Sequence, residues 1–567
     1  MKKLGLLLCT AICFVQNVSG QNEAQIRGNF SLDGQYYQED SAISAVVPDE
    51  KIGLQGFGNI IYTKGKFEAG MRFETYVPAF VGYPAGAPWE GTGIGYRYVK
   101  YTENNLEITV GNFYEQFGSG LALRAWEDRG LGVDYALDGI RVVARPHPGV
   151  TLKGLYGKQR FNFDDGFQNG DGIVRGVDAE FDLNLLLDSA MKDMSGRFIL
   201  GGSFVSKYER NRSSIYDFPE NVGTGAVRLK YFNGGFQFSG EYARTSTNPS
   251  AQNSQIVDIP DTLDPLVGLF QFGQAVNLNA TYSRRGMGIS FTASSLSNMA
   301  FQSQRNSGPF DSWINYLPAT SVLQTYLLAQ FYPYATQPNG EVAMRGDFFY
   351  SFPRNSALGG KYGTKIAMSY THVQAPDFPR VDGIETNRKG IQPALFTWGE
   401  DTYYTDFNVK ITKKLSPKFK GSLFYMNILY DNDVIQGAYD YNDIPTPGKV
   451  YGDLFVFEGN YKIKSRHNLR FEAQAMFTDQ HLQDWVALVL EYSISPHWYF
   501  SAMNQYNYGN ADGDKLNFPV AAAGYIQGNN RISVSYGRQR AGVFCVGGVC
   551  RVVPASNGLT VSLTSSF

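Results

Sequence analysis

The chain has 567 residues, of which 43% are hydrophobic and 18% charged, with a formal charge of −2. Beyond the N-terminal segment no stretch reaches the length of apolar sequence that a membrane-spanning helix needs, which excludes a helical bundle in a bilayer. The near-neutral charge offers nothing to nucleic acid, and 37 Tyr with 40 Phe carry too much buriable surface for a disordered chain.

Residues 1–20 read as a secretory signal. Lys2 and Lys3 open it, Leu4 to Val15 form the apolar run, and Val18-Ser19-Gly20 is the small-residue exit, so cleavage is expected before Gln21. From there to Phe567 the dominant pattern is strict alternation of apolar and polar residues. Phe407, Val409 and Ile411 alternate with Asn408, Lys410 and Thr412, and Leu469, Phe471, Ala473, Ala475 and Phe477 alternate with Arg470, Glu472 and Gln474. A period of two gives each segment one apolar and one polar face. About twenty-four such segments occur, each near the length of a tilted strand crossing a bilayer. They are expected at 24–36, 51–63, 66–76, 93–102, 105–114, 138–145, 149–160, 172–185, 196–208, 225–232, 235–245 and 274–284. The series continues at 287–297, 340–352, 361–373, 402–413, 417–430, 449–461, 465–477, 483–493, 497–508, 517–528, 530–541 and 556–567. The best helical candidate, Leu185 to Met194, is too short to carry a domain.

The links between segments supply an independent test. Every even-to-odd link is short, as at Lys64-Gly65, Asn233-Gly234 and Ser495-Pro496, whereas most odd-to-even links are longer, including 77–92, 115–137, 246–273, 298–339 and 374–401. Tight periplasmic turns and long outer loops are the mark of an outer-membrane barrel, and this parity puts both chain ends on the periplasmic side. Hydrocarbon tolerates no unpaired backbone, so exported strands with apolar outer faces must close on themselves. The expected fold is therefore all-β: a single transmembrane antiparallel β-barrel over residues 21–567, with about 24 strands (22–26). Its surroundings would be outer-membrane lipid and lipopolysaccharide. Tyr403-Tyr404 and Trp498-Tyr499-Phe500 are expected in the aromatic girdles. No blade-like repeat supports a propeller. No linker divides the chain, and the first strand begins too early to leave room for a plug domain.

The long segment Glu115 to Asp134 mixes Leu121, Leu123, Trp126, Leu131 and Val133 with charges, which a solvated loop does not need. Folding into the lumen would use both kinds of residue, and Arg124, Glu127, Asp128, Arg129 and Asp134 become candidates for a constriction. A carboxylate cation site at Glu127, Asp128 and Asp134 is the alternative, but Arg124 and Arg129 would neutralise it. Continuing through Asp138-Gly139-Ile140-Arg141-Val142, this run resembles the signature segment of an uncharacterised family of Bacteroidota-type outer-membrane proteins. The start, Ala24-Gln25-Ile26-Arg27-Gly28-Asn29-Phe30, is also similar, so the likeness covers about the first third of the chain. One departure is Tyr135, where the family pattern has Asn. The resemblance implies an outer-membrane location and assigns no activity.

Enzyme chemistry is not expected. His147, His467 and His497 fall in or beside short turns, leaving His372 and His481 towards the outer side. Ser369 lies near His372, but neighbouring strand residues alternate faces, so the two do not share one. Neither a nucleophile elbow nor a zincin or phosphate-loop motif is present. Cys545 and Cys550 flank a Gly-Gly turn and form a disulfide candidate in an oxidising compartment. With no His or second Cys pair nearby they make no zinc site, and no metal or cofactor is expected. Lys64, Lys66, Lys413, Lys414, Lys418, Lys462, Lys464 and Arg466 cluster on the short-turn rim. They suit solvated turns, or attraction to anionic headgroups or a periplasmic partner. Trp313, Tyr316, Tyr326, Tyr332 and Tyr334 in the long outer loops suit a binding surface or a packed lid.

Two functional classes remain open. One is a porin-like channel passing a polar solute through a lumen narrowed by loop 115–137. The other is a non-transporting structural or accessory barrel partnering other outer-membrane or periplasmic proteins in a larger complex, for secretion or barrel assembly.

Overall fold

A strand that alternates apolar and polar side chains can satisfy both faces only by separating two environments. Twenty-four strands do so here, in one closed antiparallel sheet. Each pairs with its chain neighbour from Gln25–Tyr37 to Ser556–Ser566, and the last pairs back to the first with Ser566 opposite Asn29. Closure leaves no edge strand. The computed structural model describes residues 24–567 except 192–193, 215–216, 251–254, 258–266, 270, 379–391, 437–447, 482, 511–512 and 547–548. The secretory segment expected at 1–20 lies outside the described residues.

The polarity of the wall is that of a barrel turned inside out relative to a soluble protein. In strand His467–Phe477, Glu472, Gln474 and Met476 are buried inside, while Ala473 and Phe477 are exposed outside. In strand Trp398–Lys414, Asp406 and Asn408 face in, and Phe407 and Ile411 face out. Trp498 and Phe500 stack on the outer surface near the short-turn end, beside Tyr525, where a girdle belongs. Tyr403 and Tyr404 depart from the expected girdle: both are buried in one cluster with the loop aromatics, Tyr404 against Tyr334 and Tyr430. A register shift beside them in strand Trp398–Lys414 breaks the alternation on which that expectation rested.

The two ends of the barrel differ as the link lengths imply, and the start of the first strand and Phe567 both sit at the end carrying the tight turns, with Gly28 and Phe567 exchanging backbone hydrogen bonds of 3.0 and 2.9 Å. Two links at that end are not short. Strand Phe167–Asp182 stops earlier than alternation suggests because Asp182 caps a helical turn, Leu183–Leu186, accepting from the amides of Asn184 and Leu185. A second turn, Asp188–Met191, follows, so the helical candidate resolves into two single turns. The other exception, 353–363, is closed by Ser356, whose carbonyl accepts from Gly360 and whose hydroxyl accepts from Gly359.

Strand length decides what happens at the long-loop end. Strand Leu106–Phe113 has 8 residues, while Trp89–Glu103 and Val150–Asp164 have 15 each. The short strand's neighbour Leu137–His147 begins level with Phe113, and above the pair the two long strands meet directly, with Phe163 opposite Trp89 and Asp164 opposite Glu90 in parallel register. The amide of Thr92 also donates to Asp165 at 3.0 Å. Segment 114–136 thus finds the wall already closed above it.

Candidate functional site

Segment 114–136 folds as two small hairpins inside the barrel. Glu115–Phe117 pairs with Leu123–Ala125, and Glu127–Asp128 pairs with Val133–Asp134. Phe117, Leu121, Ala122 and Leu123 are buried against inward-facing Val174, Val205, Val222, Ala243 and Ala275. Burial of so many apolar side chains is worth roughly 1.5–3 kcal/mol for each large one, which is why a loop with this composition leaves water. Segment 298–339 joins it: Ile314 accepts from the amide of Arg124 at 2.8 Å, and Gly120 accepts from that of Tyr316 at 3.0 Å.

The expected constriction residues separate into three roles. Glu127 and Asp134 meet the wall in a buried ionic network. Arg72 donates from Nε to Glu74 Oε1 at 2.6 Å, from Nη1 to Glu127 Oε2 at 2.9 Å and from Nη2 to Asp134 Oδ2 at 2.6 Å. Arg160 donates from Nη1 to Asp134 Oδ2 at 2.9 Å and from Nη2 to Glu74 Oε2 at 2.9 Å. Tyr114 and Tyr76 complete the set by donating to Asp134 and Glu74, each at 2.9 Å. Arg129 pairs with Glu127 at 2.8 Å and covers the Phe57 ring. Asp128 instead accepts from the amide of Leu131 at 2.9 Å, fixing the hairpin turn. Arg124 neutralises no carboxylate in the network. It stacks over Tyr316 at 4.0 Å and Trp126 at 5.1 Å, tying the two lumen segments together.

Three guanidinium groups thus face three carboxylates, and the network closes without excess charge. The expected neutralisation of Glu127 and Asp134 occurs chiefly through Arg72 and Arg160, which sequence reasoning missed along with Glu74. A signal was present: Arg72 and Glu74 stand two apart, on one face, alternating with outward-facing Met71 and Phe73. Burial pushes the Tyr114 hydroxyl far above its usual pKa, and the nearby carboxylates add to the shift. It therefore stays a donor. The carboxylates of Glu127 and Asp134 are taken up by guanidinium groups and Asp128 by a backbone amide, so the three do not turn towards a shared cation position.

The remaining expected residues lie apart. Ser369 is buried inside and accepts from Asn408 at 2.7 Å, whereas His372 lies on the other face between Tyr370 and Trp398. The eight basic rim residues are all exposed at the short-turn end. The loop aromatics form a packed body: Tyr326, Phe331, Tyr332 and Tyr334 are buried with Tyr430 and Trp485, and Tyr326 donates to Glu458 of the wall at 3.0 Å. Cys545 and Cys550 face each other in hairpin Gly542–Val546/Val549–Val553, disulfide-bonded with Cα atoms 4.0 Å apart, and both are buried beside that body. Between hairpin, body and wall lies a cavity of about 500 Å³.

A family model described as a family of unknown function (DUF6029) matches residues 1–567. No curated protein matches the chain. Among solved structures it is similar to OccAB1 of Acinetobacter baumannii, at 9% identity and TM-score 0.36, covering 96% of both chains. It is also similar to the P pilus usher (PapC) translocation pore, at 8% identity and TM-score 0.38, covering 95% of this chain and 99% of that one. OpdK of Pseudomonas aeruginosa, with vanillate, is similar at 9% identity and TM-score 0.32, covering 96% of this chain and 99% of that one.

Proposed function

Since the chain belongs to DUF6029, a family of unknown function, we propose its role from its geometry: a non-enzymatic channel of a Bacteroidota-type outer membrane that passes a small polar solute. Its chain ends and tight turns would face the periplasm, and its apolar outer belt would meet lipid and lipopolysaccharide. A closed wall, apolar outside and polar inside, is what a spanning barrel requires. The observation that carries the channel reading is the docking of Glu127 and Asp134 onto Arg72 and Arg160, which holds a charged hairpin within the lumen as a constriction. Of that network Arg129 is the most open, with its side chain 38% exposed, and it is the group an ion in transit would meet.

Currents across planar bilayers test this. Small, stepped conductance is expected, and Arg129→Ala should shift the reversal potential towards cation preference. The apolar bodies built by segments 114–136 and 298–339 favour a second reading, a sealed accessory barrel. Silent bilayers together with a co-purifying envelope protein would decide for it.

A further inference from the structure

We propose that the cavity beside the disulfide hairpin binds a small organic anion, an oxyanion head carried on an apolar ring. The proposal deepens the channel reading by naming a solute class, and rests on it only for transport.

Three arginines, Arg538, Arg540 and Arg551, line this cavity, and no Asp or Glu is among its lining residues. Arg538 is satisfied by Asp40, donating from Nε at 2.6 Å and from Nη2 at 2.9 Å. The other two have no ion pair among the described residues. Arg551 donates from Nη1 to the carbonyl of Gly82 at 2.6 Å, while its Nε is buried without a partner. Arg540 lies over Phe331, its guanidinium carbon 3.8 Å from the ring centroid, so the ring covers one side of the group. A guanidinium edge matches a carboxylate or phosphate with two parallel hydrogen bonds. Holding such a charge partly out of water without a paired carboxylate is costly: burial pulls the Arg540 pKa down to about 10 and lowers that of Arg551 even though Asp128 lies near enough to offset part of the shift. A bound anion would relieve that penalty.

The rest of the wall suits the other half of the ligand. Phe331, Phe518 and Phe544 line the same space, and Trp485 packs on Phe331 at 4.9 Å and on Phe518 at 6.1 Å. The volume of about 500 Å³ is in the range that takes a small molecule.

The test is calorimetric titration of the full chain in detergent, disulfide intact. The probes are sodium benzoate, benzylamine (the same ring with a cationic head) and inorganic phosphate. Saturable benzoate binding is expected, at least tenfold tighter than either other probe. Arg540→Gln and Arg551→Gln should each weaken it about tenfold or more, with the heat-dependent gel mobility of the folded barrel unchanged. If Arg540→Gln does not fold, Arg551→Gln and Phe544→Ala carry the test. Equal affinity for benzoate and benzylamine, phosphate binding without benzoate binding, or wild-type affinity in the folded variants would overturn the site. Benzoate binding in a protein that conducts nothing would keep the site and remove the channel; currents without benzoate binding would do the reverse.

Discussion

Arg160, on the barrel wall, donates through Nη1 to Asp134, near the base of a lumen hairpin, across 2.9 Å. The same carboxylate oxygen accepts from Arg72. Both guanidinium groups are buried, so removing Asp134 leaves two charges facing each other with fewer counter-charges. Breaking a buried pair from one side costs about 3–5 kcal/mol. Asp134→Asn is therefore expected to release the hairpin while the barrel stays closed. Trypsin should newly cleave at Arg124 or Arg129, and conductance should rise. An uncleaved loop with wild-type currents would refute the latch.

The other end of the same segment carries a pH dependence. Burial alone would push the Glu115 carboxyl up, but Lys153, donating at 2.7 Å, and Arg141 outweigh it and hold the pKa below its usual 4.5. A group whose pKa is depressed on docking contributes fully above its free value and loses that contribution as pH falls through the docked value. Protection of the amides of 115–125, taken relative to their intrinsic exchange rates at each pH, should be constant from pH 7 to about 5 and fall below about 4.5. In Glu115→Gln that acid step should vanish; an unchanged midpoint would assign it elsewhere.

Reducing the Cys545–Cys550 bond should loosen the hairpin and leave the barrel intact. A cross-link closing so short a loop constrains the open chain by roughly 2 kcal/mol. Reduction is expected to lower benzoate affinity severalfold through freedom gained at Arg551, with no change in the urea midpoint of the barrel. A shift of that midpoint would mean that the hairpin supports the wall.

The outer face makes its own prediction. Val227 lies mid-strand with 62% of its surface exposed, next to inward-facing Arg228, which binds Asp178. Val227→Arg should cost about 2–4 kcal/mol in lipid vesicles if this face meets hydrocarbon. Little change would argue that it meets water.

Alternation made the wall legible: Phe407, Val409 and Ile411 announce one face and Asn408 and Lys410 the other. Link lengths marked the two ends, except where the Asp182 cap and the longer link 353–363 replaced tight turns. The composition of 115–134 disclosed its inward fold, because Leu121, Leu123 and Trp126 make no sense in water. Who meets whom across the lumen was not legible. Arg160 reaches Glu74 from 86 positions away, and nothing local to either residue encodes that distance. Arg124 looked like a partner for nearby acids, yet stacking on Tyr316, supplied by a distant segment, claims it. Tyr404 escaped for a similar reason, since a register shift hides from any period-two reading.

The shortfall of strand Leu106–Phe113 limits how this molecule can move. With Phe163 and Trp89 bridged overhead, segment 114–136 has a lintel above it and cannot flap outward over the rim. Any movement of the segment must be an inward swing, so it travels within the bore and needs empty space there to move into.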